Sequence, residues 1–184
     1  RQIRADTRKA LGLDDQFVVG HIGRFSYQKN HEFLVDIFHE VCKAIPKAVL
    51  LLVGEGPLED SIRTRAAQMG LSDKVIFAGQ RNDVPALLQA MDVFCLPSRF
   101  EGLGIVLIEA QASGLPCLVS SAVPDEGVIT DLATRLPLHT DLWVEQLLRL
   151  AREPRQRLNM LEPLTAAGYN IRYQIREIER LYRE

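Results

Sequence analysis

The chain has 184 residues, of which 47% are hydrophobic and 25% are charged, and its formal net charge is -2. This length can bury one good core, and the composition is that of an ordinary globular domain rather than of a disordered or membrane-spanning chain. The near-neutral charge excludes a surface that attracts nucleic acid or anionic lipid as a whole, so an anion site has to be local.

The N-terminal segment, the lengths of the apolar runs and the cysteines indicate a cytosolic protein without a signal peptide or membrane span. Residues 1–13 are charged and unlike a signal peptide, and no apolar run approaches the ~20 residues of a membrane span. Cys42, Cys95 and Cys117 have no paired spacing, which is typical of reduced core thiols in a cytosolic protein. Because the chain begins with arginine, we expect a fragment whose N-terminal partner domain is absent.

Apolar runs and helical patterns alternate along the first two thirds of the chain. The Asn30 side chain is expected to be the N-cap of the first of these helices. Five strand-helix repeats are typical of a Rossmann-like, doubly wound parallel sheet with helices on both faces, and right-handed crossovers favour the strand order 3-2-1-4-5. The strands are predicted at 17–22, 48–53, 75–78, 93–96 and 117–119, and the helices at 31–44, 58–69, 84–91 and 105–113.

The last third has a weaker pattern. Residues 122–137 show no clear period, whereas residues 142–152 form an amphipathic helical pattern. A final helix is indicated by an apolar stripe. We predict one domain, with a Rossmann-like core at about 16–153 and C-terminal helices at about 154–184. The stripe consists of Ile171, Ile175, Ile178 and Tyr182.

Residues 100–110 combine a strand end, a glycine turn and a helix start, which together can bind an anionic group. The loop after the first strand carries Arg24 and Lys29. The carboxyl ends of parallel strands share one rim of the sheet, so these cations should face that helix start. Two cations and a helix N-terminus suit a diphosphate. The alternative is that both are solvated loop charges.

Two carboxylates flank the expected phosphate position. Glu109 lies about 7 Å along the helix from its start, near the step from a diphosphate to a ribose. Glu101 precedes the helix on the other side, where the sugar of an activated donor would project. The alternatives are that Glu101 merely favours the helix start and that Glu109 faces solvent.

Several motifs in this order point to a family. From residue 17 to residue 119 the chain resembles the C-terminal half of retaining glycosyltransferases of the GT-B architecture, in the large group (family 4, or group 1) that includes capsular and exopolysaccharide enzymes. The motifs that carry the resemblance are Gly23-Arg24, Lys29-Asn30, Val53-Gly54-Glu55-Gly56-Pro57, Pro97-Ser98-Arg99-Phe100-Glu101-Gly102-Leu103-Gly104, Glu109-Ala110 and Gly114-Leu115-Pro116.

The resemblance implies an enzyme in which this half binds a nucleotide-sugar such as a UDP- or GDP-hexose. A glycan or lipid-linked acceptor would bind to the absent N-terminal half, with no nucleic acid partner. Neither a metal nor another cofactor is implied, and the chain has no Asp-x-Asp triplet. A cytoplasmic enzyme is implied, with peripheral association at the inner face of the membrane left open.

The resemblance also implies roles for individual residues. Gly23, Arg24 and Lys29 would lie at the diphosphate, and the two cations would neutralise the leaving nucleotide. Glu101 would bind sugar hydroxyls and Glu109 the ribose. The backbone near Arg81 would lie along the base. The backbone N–H groups that would assist at the phosphates belong to Leu103, Gly104 and Ile105.

Two departures from the family pattern stand out. Leu103 replaces the usual phenylalanine, a mild change where the backbone does the binding. Glu126 is kept, but the glycine-containing hairpin that usually follows it is absent or shortened, which leaves the role of Glu126 open. His21 and His31 invite a metal or acid-base interpretation, against which stands a structural or solvated role for each.

Other functional classes remain as alternatives. A non-catalytic nucleotide-sugar-binding module would keep the same rim without the enzymatic activity. A GT-B phosphorylase would carry a lysine for pyridoxal phosphate in a much longer chain, and an epimerase a set of His and Glu around the sugar. Neither signal is apparent. No residue is an evident nucleophile, so retention by front-side attack guided by the leaving phosphate is implied by the resemblance alone.

Overall fold

Six parallel strands form one sheet in the order β3-β2-β1-β4-β5-β6 in the computed structural model, which describes residues 2–153 and 156–182. The doubly wound fold and the predicted order of the first five strands are confirmed. The strands are β1 Phe17–Ile22, β2 Ala48–Val53, β3 Val75–Phe77, β4 Val93–Leu96, β5 Cys117–Ser120 and β6 Ala133–Leu136.

The predicted helices begin and end within two residues of their expected bounds. Arg1, residues 154, 155, 183 and 184, and the side chain of Ile178 in the predicted stripe lie outside the described residues. Across the described residues no helix is long and apolar enough to cross a membrane. The helices are α1 Gln2–Leu11, α2 His31–Ala44, α3 Glu59–Gln68, α4 Val84–Ala90, α5 Ile105–Ala112, α6 Thr140–Arg152, α7 Leu161–Ala166 and α8 Ile171–Leu181.

Helices cover both faces of the sheet. Side chains of α2, α3 and α6 pack on one face, and those of α4 and α5 pack on the other. Every residue of β2, β4 and β5 is therefore buried, which explains why these strands read as continuous apolar runs. Cys95 and Cys117 lie in this core, and burial raises the pKa of both thiols; all three cysteines are free.

The sixth strand was not predicted from the sequence. β6 pairs with β5 at the edge of the sheet and is only partly buried, with Arg135 exposed and paired with Asp125. A half-exposed, four-residue edge strand lacks the apolar run by which the central strands are recognised. The segment 122–137, whose sequence has no clear period, therefore ends in a strand.

The charged N-terminal segment forms a helix that was also not predicted. Arg4 Nη2 lies 2.6 Å from Asp92 Oδ1 and Arg8 Nη1 lies 3.2 Å from Asp92 Oδ2, while Asp92 Oδ2 also accepts a hydrogen bond from the backbone of Val18 at 2.8 Å. Helix α1 thus docks through arginines rather than through a wide apolar stripe. Its anchor lies at the amino ends of β1 and β4, opposite the carboxyl-end rim.

Candidate functional site

The carboxyl ends of the strands form one continuous rim joined by backbone hydrogen bonds. Gly23 N donates to Val53 O at 2.9 Å, which links the loops after β1 and β2. Gly54 N donates to Gly79 O at 2.8 Å and continues the link to the loop after β3. The loops that were expected to share a rim therefore touch.

Two glycines allow the loops after β1 and β2 to pack backbone against backbone. A Cβ at Gly54, whose φ is +129°, would lie 2.3 Å from Gly23 O. A Cβ at Gly56 would lie 2.5 Å from Phe25 O. Since no side chain fits at such distances, the Gly-Glu-Gly motif after β2 serves close packing of the rim.

The loops after β1 and β4 are joined by two further bonds. Arg99 N donates to Gln28 O at 2.8 Å, and Asn30 Nδ2 donates to Pro97 O at 3.1 Å. Asn30 is the N-cap residue of α2, as expected, but its backbone is left-handed, with φ 56°, and its side chain makes no cap hydrogen bond. Its amide is used instead to hold the two loops together.

Lys29 and Glu101 form an ion pair at the centre of the rim. Lys29 Nζ lies 2.5 Å from Glu101 Oε2, and the two side chains are 14% and 7% exposed. Ser98 Oγ donates to the same oxygen at 3.0 Å, and Gln28 Nε2 donates to Oε1 at 3.2 Å. The structure thus brings together a cation and a carboxylate that were expected to bind different parts of a ligand.

Ser98 and Gln28 are site residues that the sequence interpretation did not assign. Ser98 is fully buried, and its carbonyl accepts a hydrogen bond from Ser120 Oγ at 2.6 Å. Ser120, at the end of β5, therefore positions Ser98, and Ser98 in turn donates a hydrogen bond to Glu101. Ser98 lies inside one motif of the resemblance, three residues before Glu101, and Gln28 lies directly before the motif that begins at Lys29.

Arg24 and Lys29 occupy different environments although they share a loop. Arg24 is exposed, and its side chain makes no hydrogen bond or ion pair with any other described residue. Lys29 runs beside Gly23, where a Cβ would lie 3.3 Å from Lys29 Cε and 3.0 Å from His21 Nε2. The glycine leaves a notch that is lined by the lysine stem and an imidazole nitrogen.

His21 and His31 form a buried pair beneath this notch. Their rings meet edge to face with centroids 4.6 Å apart, His21 Nδ1 donates to Cys95 O at 2.8 Å, and His31 stacks on Phe25 at 4.1 Å. Burial lowers the pKa of His21 to about 4, and burial together with the nearby His21 and Lys29 lowers that of His31 to about 2. Both rings are neutral parts of the core, in line with a structural role.

The start of α5 presents backbone donors to the rim. Gly104 precedes the helix in the left-handed conformation, with φ 69°. The N–H groups of Leu103, Gly104 and Ile105 donate to no other residue of the described chain. Leu103 and Ile105 are 39% and 68% exposed, so this helix start is open to solvent.

Glu109 lies one helical turn further along α5 and is exposed. With Pro85 and Ser113 it lines a groove of about 720 Å³ between α4 and α5. Asp83 borders the same groove and pairs with Arg81 through two hydrogen bonds of 2.7 and 2.8 Å. This pairing raises the pKa of Arg81 and lowers that of Asp83.

A buried glutamine holds the loop after β5 against α5. Gln111 Nε2 donates to Gly127 O at 2.8 Å, and Gln111 Oε1 accepts from the backbone N of Ile129 and Thr130 at 2.9 Å each. A Cβ at Gly127 would lie 2.6 Å from Leu103 O, so the loop packs directly beneath the helix start. Gln111 is another residue that the sequence interpretation missed.

Glu126, on the same loop, is exposed. Its backbone oxygen accepts a hydrogen bond from Tyr169 Oη at 3.3 Å, which joins the loop to the segment before α8. No hydrogen bond or ion pair joins its carboxylate to another described residue. The structure assigns no role to this carboxylate.

The fold places the chain in a class of protein, because it matches one half of solved GT-B glycosyltransferases. HepE from Anabaena, solved in complex with UDP and glucose, superposes with a TM-score of 0.80 at 22% identity, over 98% of this chain and 52% of HepE. The C-terminal domain of the glycosyl transferase group 1 protein LpcC from Francisella tularensis superposes with a TM-score of 0.78 at 20% identity, over 91% of this chain and 93% of that domain.

The sequence places the chain in a family. The family model for glycosyl transferases group 1 matches residues 3–161. EpsF of Bacillus subtilis strain 168 is 34% identical over 186 aligned residues, which cover 97% of this chain and 48% of EpsF. The chain belongs to the group 1 glycosyltransferase family, as the resemblance implied, and it spans about half the length of such relatives.

Proposed function

We propose that this chain is the donor-binding half of a retaining, metal-independent glycosyltransferase. The enzyme would transfer a hexose from a UDP- or GDP-sugar to a glycan or lipid-linked acceptor held by an N-terminal half. The observation that carries the proposal is the buried Glu101 carboxylate, held against Lys29 at the carboxyl edge of the sheet. A partly buried cation and a buried carboxylate on this rim suit a ligand that carries both a phosphate and hydroxyl groups.

Each part of a nucleotide-sugar has a matching group on the rim. Lys29 and the exposed Arg24 supply positive charge for the diphosphate, beside the unpaired N–H groups at the start of α5. Glu101 would accept hydrogen bonds from sugar hydroxyls. Glu109 would accept them from the ribose, in the groove that continues to the loop of Arg81 and the base.

The same groups would lower the barrier to sugar transfer. Breaking the bond between the sugar and the phosphate builds negative charge on the leaving nucleotide and positive charge on the sugar. Fixed cations and helix N–H groups that bind more strongly as this charge develops stabilise the transition state. Because no residue of the sequence is an evident nucleophile, we propose front-side attack by the acceptor, guided by the leaving phosphate.

The three free cysteines support a cytoplasmic location.

Calorimetry on the 184-residue chain with UDP, GDP, UDP-glucose and GDP-mannose tests the proposal. We expect binding of at least one of these ligands. Both Lys29→Ala and Arg24→Ala should weaken it, the lysine variant by roughly tenfold or more, since hydrogen bonds to charged groups are among the strongest.

Lys47→Ala is the matched control, because Lys47 is exposed next to the amino end of β2. Unchanged affinity in both rim variants would show that the diphosphate lies elsewhere. A chain that binds none of the four ligands would overturn the proposed function.

A further inference from the structure

The ion pair between Lys29 and Glu101 couples two groups that the proposed function assigns to different parts of the donor. The separation of 2.5 Å and the low exposure of both side chains, 14% and 7%, show a pair largely sequestered from solvent. A ligand phosphate that draws the Lys29 ammonium away from Glu101 would therefore compete with that carboxylate. This competition has consequences for the ligands that the site prefers.

Three side chains donate hydrogen bonds to Glu101, and they differ in how easily they can move away from its carboxylate. A carboxylate has about four lone-pair positions. Three are used, by Gln28, Ser98 and Lys29. Ser98 is fully buried and is held through its carbonyl by Ser120, whereas a lysine ammonium sits on a flexible four-carbon stem. Lys29 is thus the partner of Glu101 that is best able to move.

The two buried histidines are neutral, so they add no positive charge that could bind Glu101 or a phosphate in place of Lys29. His21 Nε2 faces the same notch as the Lys29 stem and makes no hydrogen bond to a described residue. The lowered pKa values of His21 and His31 mean that neither ring adds a cation to the notch at neutral pH. Among the described residues that line the notch, Lys29 is then the one positive charge that Glu101 and a bound diphosphate would share.

We infer that Glu101 and the diphosphate compete for Lys29, and that this competition favours a sugar-bearing donor over the sugar-free nucleoside diphosphate. The inference rests on the proposed function. A nucleoside diphosphate that draws Lys29 away leaves a buried carboxylate with one partner fewer, which is unfavourable. A nucleotide-sugar replaces that partner, because a sugar hydroxyl can donate to the vacated oxygen of Glu101.

The same competition acts after transfer. Once the sugar has moved to the acceptor, the hydroxyl that donated to Glu101 is gone. Lys29 then pairs with Glu101 again, and the affinity of the site for the nucleoside diphosphate falls. Glu101 would therefore speed the release of the product as well as bind the sugar.

Glu101→Gln tests the inference, because the amide keeps the size of the side chain and removes its charge. We measure by calorimetry the affinities of the 184-residue chain for UDP and UDP-glucose, and for GDP and GDP-mannose. The substitution should tighten binding of the nucleoside diphosphate by roughly tenfold, the scale of one lost charged hydrogen bond. Binding of the nucleotide-sugar should not tighten, so the preference for the sugar-bearing ligand should fall.

A double-mutant cycle isolates the competition. In a Lys29→Met background, Glu101→Gln should leave the affinity for the nucleoside diphosphate unchanged, because there is no ammonium to compete for. Glu162→Gln, an exposed carboxylate on α7, is the matched control for loss of a negative charge. Glu101→Asp, which shortens the side chain by one methylene, should shift the affinities in the same direction and serves where the amide variant fails to fold.

The outcomes separate this inference from the proposed function. If Lys29→Met weakens nucleotide binding but neither Glu101 variant tightens binding of the nucleoside diphosphate, the competition is refuted and the donor-binding function stands. If Glu162→Gln tightens binding of the nucleoside diphosphate as much as Glu101→Gln does, the tighter binding comes from the general loss of negative charge and the competition for Lys29 is refuted. If the wild-type chain binds none of the four ligands, both proposals fail.

Discussion

Two buried histidines beneath the rim stay neutral because they are desolvated. Their pKa values, about 4 for His21 and about 2 for His31, lie below the value of 6.5 expected in the unfolded chain. As the pH falls below 6.5, the unfolded chain binds protons that the folded chain does not. The free energy of unfolding therefore decreases with falling pH, first through both histidines and, below pH 4, through His31 alone.

We expect this acid sensitivity to be measurable by urea unfolding. As the pH falls from about 7.5 to about 5.5, His21 and His31 should each lower the free energy of unfolding by about 1.4 kcal/mol. His31→Phe preserves the stack on Phe25 and should remove about half of that decrease. His139→Asn, at an exposed histidine before α6, is the matched control. An equal decrease in wild type and His31→Phe would contradict the assignment.

The start of α5 is positioned by an element that lies later in the chain. Gln111, on the buried face of α5, binds the backbone of the loop after β5, and Gly127 of that loop packs against Leu103. The backbone donors proposed to face the phosphates therefore depend on a side-chain network that crosses from α5 to this loop. A substitution at Gln111 should therefore alter the position of the α5 start at the rim, although the substituted side chain lies away from the rim.

Replacing Gln111 by Leu should lower the free energy of unfolding by about 2–4 kcal/mol, because the backbone N–H groups of Ile129 and Thr130 lose their acceptor. Urea unfolding measures the loss, and amide hydrogen exchange at these two residues should accelerate. Gln146→Leu, which removes a surface hydrogen bond to Arg149, should cost less than about 0.5 kcal/mol. Unaltered exchange at both amides in Gln111→Leu would show that the network does not hold the loop.

The rim described here is proposed to be one wall of a larger site. The chain covers 48% of EpsF and 52% of HepE, and the proposed acceptor belongs to the other half. Such a division of labour between two halves would account for a candidate site whose helix start at α5 is open to solvent.

We expect the 184-residue chain to bind a nucleotide-sugar and to transfer no sugar from it. A coupled assay of nucleoside diphosphate release, with simple sugars as acceptors, measures this. Addition of an N-terminal half to the same chain should restore release, whereas a non-catalytic binding module would stay inactive in both forms. Robust transfer by the chain alone would show that the acceptor site lies within it.

The sequence alone determined the layer architecture, the order of five strands and the rim on which the candidate residues lie. These follow from local patterns, since apolar runs mark buried strands and right-handed crossovers leave few topologies. Glycine, proline and charged motifs at the strand ends then placed Arg24, Lys29, Glu101 and Glu109 at one edge of the sheet.

Tertiary structure alone decided how those residues pair. Lys29 and Glu101 are 72 residues apart, and their contact depends on loops that meet only when the sheet is assembled. The edge strand β6 and the arginine-anchored helix α1 likewise depend on distant partners, β5 and Asp92. Local periodicity carries no signal for contacts between polar side chains far apart in the chain, and in this protein such contacts decide which charged side chains of the candidate site pair with each other.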